Sequence, residues 1–294
     1  MRVSNAAITH SALERLHRRM GSMHDMQDQI SSGKRIRRPS DDVRGTSRVL
    51  ALHGAIRSRQ QVDRNTADGT TWVRVADSKL QDVVERLHRA RELAVQGAST
   101  LGPEITKGLA DEVAALREDV LSLANSRHQG RGVFAGTAAS DAVSNVAGSW
   151  TFTGDTNAIT RRIGDTTKVQ INVTADEVFG LGSGQDLFTT LDGLEASLLA
   201  GDTSGANTAI AEIDSSLERV LGALATIGGA GSRIESAQIR NDADIIDLGE
   251  EASRIEDVDL AESITKLELE QAAYQAAIGA LGNVLSASLA SFLG

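Results

Sequence analysis

Along this chain, apolar side chains recur every seven residues in five separate stretches, with polar residues filling most positions between them. Near the N-terminus two such rows run in parallel, Ala6-Leu13-Met20 and Thr9-Leu16-Met23-Ile30. A second stretch has Ala76, Val83, Ala90 and Gly97 beside Leu80, Leu87 and Ala94. A third has Leu109, Leu116 and Leu123 beside Val113 and Val120, and it follows Pro103, a residue suited to a first helical turn because it has no N–H to leave unpaired. A fourth has Ile210, Leu217 and Leu224 beside Ile213, Val220 and Ile227. The last has Leu260, Leu267, Tyr274 and Leu281 beside Ile264, Ile278, Leu285 and Phe292. A seven-residue repeat lays an apolar seam along one side of a helix, so each stretch predicts a helix packed lengthwise against another.

Between about residues 135 and 190 the period changes. Trp150, Phe152, Ile159, Ile163, Val169, Ile171 and Val173 alternate with polar residues, and Gly154-Asp155 and Gly164-Asp165 punctuate them, which predicts hairpin-linked strands. Heptads resume near Leu187, so the two halves of the chain return to one bundle and its ends lie close together. The predicted fold is mainly α: an elongated, discontinuous helical bundle or coiled coil with its N- and C-terminal helices paired, plus a small β-rich inserted domain. The expected segments are terminal helices at 1–32 and 258–294, a connector at 33–43, a helical bundle at 44–134 and 187–257, and the β-rich insert at 135–186. Gly228-Gly229-Ala230-Gly231 predicts a turn or hinge between helices, and Gly180-Leu181-Gly182-Ser183-Gly184 a loose exit from the insert.

The connector runs Ser31-Ser32-Gly33-Lys34-Arg35-Ile36-Arg37-Arg38-Pro39-Ser40-Asp41-Asp42. Gly33 suits a helix end, Pro39 holds Arg38 extended, and Ser40, Asp41 and Asp42 offer oxygens to the unpaired N–H groups that start the next helix.

Composition narrows the architecture. Only eight residues are aromatic and only two, Pro39 and Pro103, are proline, so Ala, Leu, Val and Ile carry the apolar content and long helices are permitted almost everywhere. Small and branched side chains suit closely packed helices better than one thick core. There is no cysteine, which excludes disulfides, thiolate metal sites and cysteine nucleophiles. Met1–Met20 contains no apolar stretch with a small-residue cleavage site, so no cleaved secretory signal is expected and any export must use another route.

Charge is divided between the ends. Residues 1–64 hold 13 Lys/Arg against 6 Asp/Glu, a net of +7, whereas residues 241–294 hold 2 against 11, a net of −9. Opposite charge favours pairing of the two ends and disfavours contact of like with like. From Gln271 to Gly294 no residue is charged, yet Gln271, Gln275, Asn283 and many small residues interrupt the stretch. That pattern suits burial between protein helices rather than membrane insertion.

Candidate chemistry is sparse. The basic connector lacks the interleaved aromatics of a nucleic-acid surface, and the chain as a whole is acidic, so a protein contact is the better reading. His10, His17 and His24 share one helix face but lie roughly 10 Å apart, too far to ligate one ion together. The glycine stretch at 180–184 lacks the Lys-Ser/Thr ending of a phosphate loop. Glu268 and Glu270 point to different sides of a helix. No catalytic, cofactor or metal constellation is recognised, and neither an enzyme nor a cofactor is expected.

The ends of the chain resemble a known family. Ser32-Gly33-Lys34-Arg35-Ile36 with Arg38-Pro39-Ser40-Asp41-Asp42 resembles the N-terminal signature of the flagellin superfamily. Asp259-Leu260-Ala261-Glu262-Ser263-Ile264-Thr265-Lys266-Leu267 with Gln271-Ala272-Ala273-Tyr274-Gln275-Ala276 resembles its C-terminal signature. The opening Met1-Arg2-Val3-Ser4, the spelling of residues 34–42, Arg131-Gly132-Val133-Phe134-Ala135-Gly136 and the ending Ser288-Leu289-Ala290-Ser291-Phe292-Leu293 are similar to the FlgL branch, hook-associated protein type 3 of the hook-filament junction. Arg37 and Val43 depart from the family's usual asparagine and proline.

The resemblance covers about residues 1–136 and 205–294. It implies terminal helices in an inner tube, a surrounding helical layer and the insert outermost. It further implies an extracellular flagellar subunit that assembles with itself in a helical ring, with a FlgK-type hook-associated protein and with flagellin. Delivery would use an export chaperone and the flagellar type III apparatus. The expected assembly interface is Leu13, Leu16, Met20, Met23 and Ile30; Arg35, Arg38, Asp41 and Asp42; and Leu260, Ile264, Leu267, Tyr274, Ile278, Leu281, Leu285 and Phe292. A short filament flagellin, or a soluble helical adaptor or secreted effector, are the alternatives.

Overall fold

The computed structural model describes the backbone of residues 2–99, 102–181 and 185–293 and the side chains of 10–99, 102–181 and 185–282. The side chains of Ala6, Thr9, Leu285 and Phe292 lie outside the described residues, as does Gly182-Ser183-Gly184. Among the described residues the elements follow in the order α1 (Arg2–Ser32), α2 (Val43–Gly97), α3 (Pro103–Ala124), β1 (Arg127–His128), β2 (Arg131–Gly132), β3 (Val143–Val146), β4 (Ser149–Phe152), β5 (Thr160–Arg162), β6 (Lys168–Gln170), α4 (Ala175–Phe179), α5 (Leu187–Ala200), α6 (Thr203–Glu256) and α7 (Leu260–Leu293). The chain is mainly α with a small antiparallel-strand region, as its periodicity predicts. It divides into two compact units, residues 1–58 with 245–294, and residues 59–244. The divisions at 58/59 and 244/245 fall inside α2 and α6, where no turn or breaker marks them in the sequence.

In the 59–244 unit the heptad rows become the core. Leu80, Val83, Leu87, Ala90 and Ala94 of α2 are buried, with Leu109, Val113, Leu116 and Val120 of α3 and Ile213, Val220 and Ile227 of α6. Ile210, Leu217 and Leu224 lie half-buried against that core. α5 packs along α3 and buries Leu187, Phe188, Leu191, Leu194 and Leu198. Asp186 caps it, accepting the Thr189 N–H at 2.8 Å and so satisfying one of the unpaired donors of its first turn.

Gly228–Gly231 corrects a sequence expectation, because it lies inside the unbroken α6. A Cβ on Gly231 would stand 3.2 Å from Val73 of α2, and one on Gly69 of α2 would stand 3.2 Å from Ile234 of α6. Close approach of the two helices requires small residues at this crossing, and packing outweighs the modest helix preference that glycine forfeits.

The strand region also departs from expectation in detail. Strands begin at Arg127, within the segment expected to be helical, because α3 ends at Ala124. β3 and β4 pair with Val143 opposite Phe152, joined by Ala147 and Gly148 at φ +52° and +85°, the pair of positive angles a tight hairpin needs. Gly154-Asp155 joins no paired strands. Instead the Asp155 carboxylate accepts the Thr137 hydroxyl at 2.6 Å and the N–H groups of Thr137 and Asn157 at 2.9 Å, which holds its pKa down at about 2. Gly164-Asp165 does lie in the β5–β6 turn, closed by the Ile163 N–H donating to Thr167 O at 2.9 Å. The scarce aromatics gather where these strands meet the helices. Trp150 stacks on Phe188 at 4.9 Å, and Phe179 lies 5.6 Å from Phe188 and 6.1 Å from Phe134.

Two substitutions test this packing in thermal or urea unfolding. Leu87→Ala, at a site with no solvent exposure, is expected to destabilise by about 2–5 kcal/mol. Gly228→Ala, where a Cβ meets nothing within 4 Å, is expected to stabilise by about 0.5–1 kcal/mol, and a loss of stability would restore the hinge reading.

Candidate assembly interface

In the unit formed by 1–58 and 245–294, α1 and α7 run antiparallel, as Arg19–Glu270 (2.7 Å) and Lys34–Asp257 (2.6 Å) require. One row of half-buried positions on each helix advances in steps of four and three: Ala12, Leu16, Arg19, Met23, Met26 and Ile30 on α1, and Ser263, Leu267, Glu270, Tyr274, Ala277 and Leu281 on α7. This is a two-helix seam with one charged residue of each sign within it. A polar pair at such positions fixes register, because a slip would leave each charge facing apolar neighbours. Tyr274 further donates its hydroxyl to Met20 Sδ at 3.4 Å.

The opposite charge of the two ends is realised as specific pairs. Besides Arg19–Glu270, Lys34 reaches Glu256 at 3.2 Å, Arg48 reaches Glu251 at 2.6 Å and His53 Nε2 lies 3.0 Å from Glu256.

The connector clasps the turn between α6 and α7. Gly33, at φ +69°, ends α1 in a left-handed conformation and turns its carbonyl to accept the Val258 N–H at 3.0 Å. The N–H groups of Arg35 and Ile36 donate to Glu256 O at 2.7 and 3.3 Å, and the Arg35 guanidinium donates to Ile255 O at 2.6 Å. These bonds satisfy the carbonyls that end α6. Asp41 accepts the N–H groups of Arg37 and Arg38 at 3.0 and 2.8 Å, folding the connector on itself. Asp42 accepts the Gly45 N–H at 2.8 Å, a cap on the start of α2. Ile36 is buried under this turn, and a Cβ on Gly45 would approach its Cδ1 to 2.6 Å.

The expected interface residues thus divide into three sets. Leu16, Met23, Ile30, Leu267, Tyr274 and Leu281 sit in the seam, half-buried. Leu13, Met20, Leu260, Ile264 and Ile278 are turned outward, and so is Leu269 at 70% exposure. Arg35, Asp41 and Asp42 build the clasp, whereas the Arg38 side chain is exposed and makes no ion pair among the described residues. The side chains of Leu285 and Phe292 lie outside the described residues.

Sequence reasoning overlooked Arg19, Asp28, Glu256 and Asp257, and it singled out Lys34, Arg37 and Glu270 without these partners. Arg37, which replaces the family's usual asparagine, pairs with Asp28 at 2.7 Å. Arg19 and Glu270 were detectable as charges at seam spacing. The row holding Arg19 faces α7 because Glu270 awaits it there, and this turns the more apolar row of Leu13 and Met20 outward. His10 and His24 lie beside Glu14 (3.3 Å) and Asp28 (4.0 Å) on the exposed edge of α1.

Four carboxyls in and beside the clasp are held below the usual carboxylate range: Asp28 by the Arg37 guanidinium, Asp41 by the Arg38 and Arg37 N–H groups, Asp42 by the Gly45 N–H, and Asp257 by the Lys34 ammonium and the Ser253 hydroxyl. Lys34 is raised, chiefly by its bond to Asp257. Depressed acids stabilise the fold above their ordinary pKa of about 4 and cease to do so as pH falls through the lower folded values. The raised lysine stabilises below about 10.4 and ceases to do so as pH rises through its folded value. Hydrogen exchange is expected to show the Arg35 and Ile36 amides protected between about pH 4 and 10, with protection lost at lower pH. In the seam, Arg19→Glu is expected to weaken α1–α7 pairing and Glu270→Arg to restore it in the double variant, by about 0.5 kcal/mol for so exposed a pair, read as a double-mutant cycle in thermal unfolding.

Known proteins share the helical regions at both ends of this chain in sequence. The N-terminal helical region of bacterial flagellin matches residues 3–139, and the C-terminal helical region matches residues 210–293. Flagellin FlaB1 of Treponema pallidum (strain Nichols) is 27% identical over 275 residues, covering 90% of each chain. Flagellar hook-associated protein 3 of Escherichia coli (strain K12) is 27% identical over 287 residues, covering 89% of this chain and 90% of that one. Among solved structures, flagellar hook-associated protein 3 of Legionella pneumophila superposes with a TM-score of 0.65 at 16% identity, covering 70% of this chain and 98% of that one. FlgL of Bacillus cereus gives 0.60 at 19% identity, covering 69% and 99%, so these structures share the fold. With both helical regions matched in order over most of its length, this chain belongs to the bacterial flagellin family.

Proposed function

We propose that this chain is a structural subunit of the bacterial flagellum that joins hook to filament, docking on a FlgK-type hook-associated protein at one end and receiving flagellin at the other. It does no chemistry. Its work is to repeat one set of contacts around a helical ring, and contacts between two different surfaces propagate in this way rather than closing into a dimer. The subunit travels unfolded through the flagellar type III export apparatus, guarded by an export chaperone, and acts outside the cell.

The observation that carries the reading is the outward face of the α1–α7 hairpin. Leu13, Met20, Leu260, Ile264 and Ile278 are 46–53% exposed on a unit whose seam already has a partner. Burying side chains of this size is worth about 1.5–3 kcal/mol each when complete, so a neighbour that covers even part of this face gains several kcal/mol. The junction role is supported over other roles by the spelling of residues 34–42, and the near full-length alignment with the E. coli hook-associated protein agrees with it. Equal identity to the Treponema flagellin favours a second reading, a short filament flagellin.

Deleting the gene in the source organism is expected to leave hooks without filaments and to release flagellin into the medium; retained filaments would sink the junction role. Purified chain is expected not to elongate alone, and long filaments formed without a hook end would select the second reading. Ile264→Asp with Ile278→Asp is expected to leave monomer helicity unchanged by circular dichroism while preventing recovery of the subunit in isolated flagella.

A further inference from the structure

One strongly basic groove in the 59–244 unit has no ionic partner among the described residues. This unit is acidic, with 17 Lys/Arg against 26 Asp/Glu. Yet a cleft of about 560 Å³ between α6 and the β5–β6 hairpin is lined by Lys168, Arg233 and Arg240, and none of the three makes an ion pair or side-chain hydrogen bond among the described residues. The cleft continues at both ends, sharing Arg240 with one neighbouring hollow and Arg233 with the other. The acids at its Arg240 end, Asp165 and Asp244, are already engaged by Arg59 at 3.3 Å each. Arg233 and Arg240 are seven residues apart on α6, which sets them about 10 Å apart along one face.

The same unit carries a matching acidic row. Glu104, Asp111 and Glu118 recur every seven residues on α3 and are all exposed. Glu104 and Asp111 make no ion pair among the described residues, and Glu118 meets only its neighbour Arg117 at 3.5 Å. The acids beside them on α3 are occupied, Glu112 by Arg89 at 2.6 Å and Asp119 by Arg86 at 3.0 Å. Lys107 lies within this row and pairs with neither free acid.

We propose that the α3 acidic row of one copy docks in the basic groove of the next, with Asp111 and Glu118 opposite Arg233 and Arg240. This rests on the reading of the chain as a self-assembling subunit and adds which surfaces meet. Both rows have the same repeat, about 10 Å per step, so two pairs form at one register. The two surfaces differ, so the contact is head-to-tail and leaves one free row and one free groove at each stage of growth. Exposed pairs of this kind set register and encounter rate more than strength, and the apolar hairpin face supplies the rest.

Absence of cysteine makes the test direct. The full chain carrying Asp111→Cys with Arg233→Cys, one proposed pair of the two, is expressed in the source organism, and its isolated flagella are treated with a short bis-maleimide. The expected result is a ladder of linked copies, with no ladder from either single cysteine. Links from a single cysteine would show a symmetric contact and overturn the inference. Presence of the chain without any ladder overturns it too, leaving the junction reading intact, whereas absence of the unsubstituted chain from the flagella overturns both.

Charge reversal supplies the second readout. Arg233→Glu with Arg240→Glu is expected to lower recovery of the subunit in flagella by at least about tenfold, since both attractive pairs become repulsive. Adding Asp111→Arg and Glu118→Arg to that chain is expected to restore it. A defect that this exchange does not rescue would mean that another anion, such as an acidic polysaccharide, occupies the groove, and the inference would fall.

Discussion

Antiparallel pairing of the chain's two ends is the constraint on which the assembly face depends. The clasp joins residues 220 positions apart, Arg35 to Ile255, and it does so mainly through backbone groups that the end of α6 leaves unsatisfied. Lys34 and Asp257 add a charged pair beside those bonds. Because the clasp fixes where α1 stops and α7 starts, it also fixes which residues face each other farther along. Arg19 then meets Glu270, and the apolar face that remains points outward.

That arrangement uses charge for registry rather than for strength. The Arg19–Glu270 pair sits at seam positions that leucine or isoleucine would fill with more apolar burial, yet two apolar residues there would pair in several registers equally well. The connector applies the same principle through Asp41 and Asp42, whose carboxylates accept backbone N–H groups and so shape the turn itself. Their depressed pKa values are the electrostatic trace of those bonds.

In the 59–244 unit the balance is different. There, apolar heptads and small residues do most of the work, and α2 and α6 approach closely at Gly69 and Gly231. Aromatic side chains are few, and Phe134, Phe179, Phe188 and Trp150 are concentrated at the point where strands and helices meet, a place that regular helix packing does not fill.

The sequence by itself determined the helices, the seams within the 59–244 unit and the pairing of the ends, because a seven-residue period and opposite net charges are local or additive properties that need no knowledge of distance. It also located the clasp, since Gly33, Pro39, Asp41 and Asp42 each have a short-range role. Only the tertiary structure decided which row of each terminal helix faces inward. Leu13 and Met20 look as fit for the seam as Ala12 and Met26, and the choice rests on Arg19 meeting a glutamate 251 residues away. The same holds for Gly228–Gly231, where a breaker pattern is overruled by the contact of Gly231 with Val73, and for Ala147-Gly148, which closes a hairpin that Gly154-Asp155 seemed better suited to close. Each of these outcomes depends on a partner distant in sequence or on a local geometry that several sequences share, and a one-dimensional pattern carries neither.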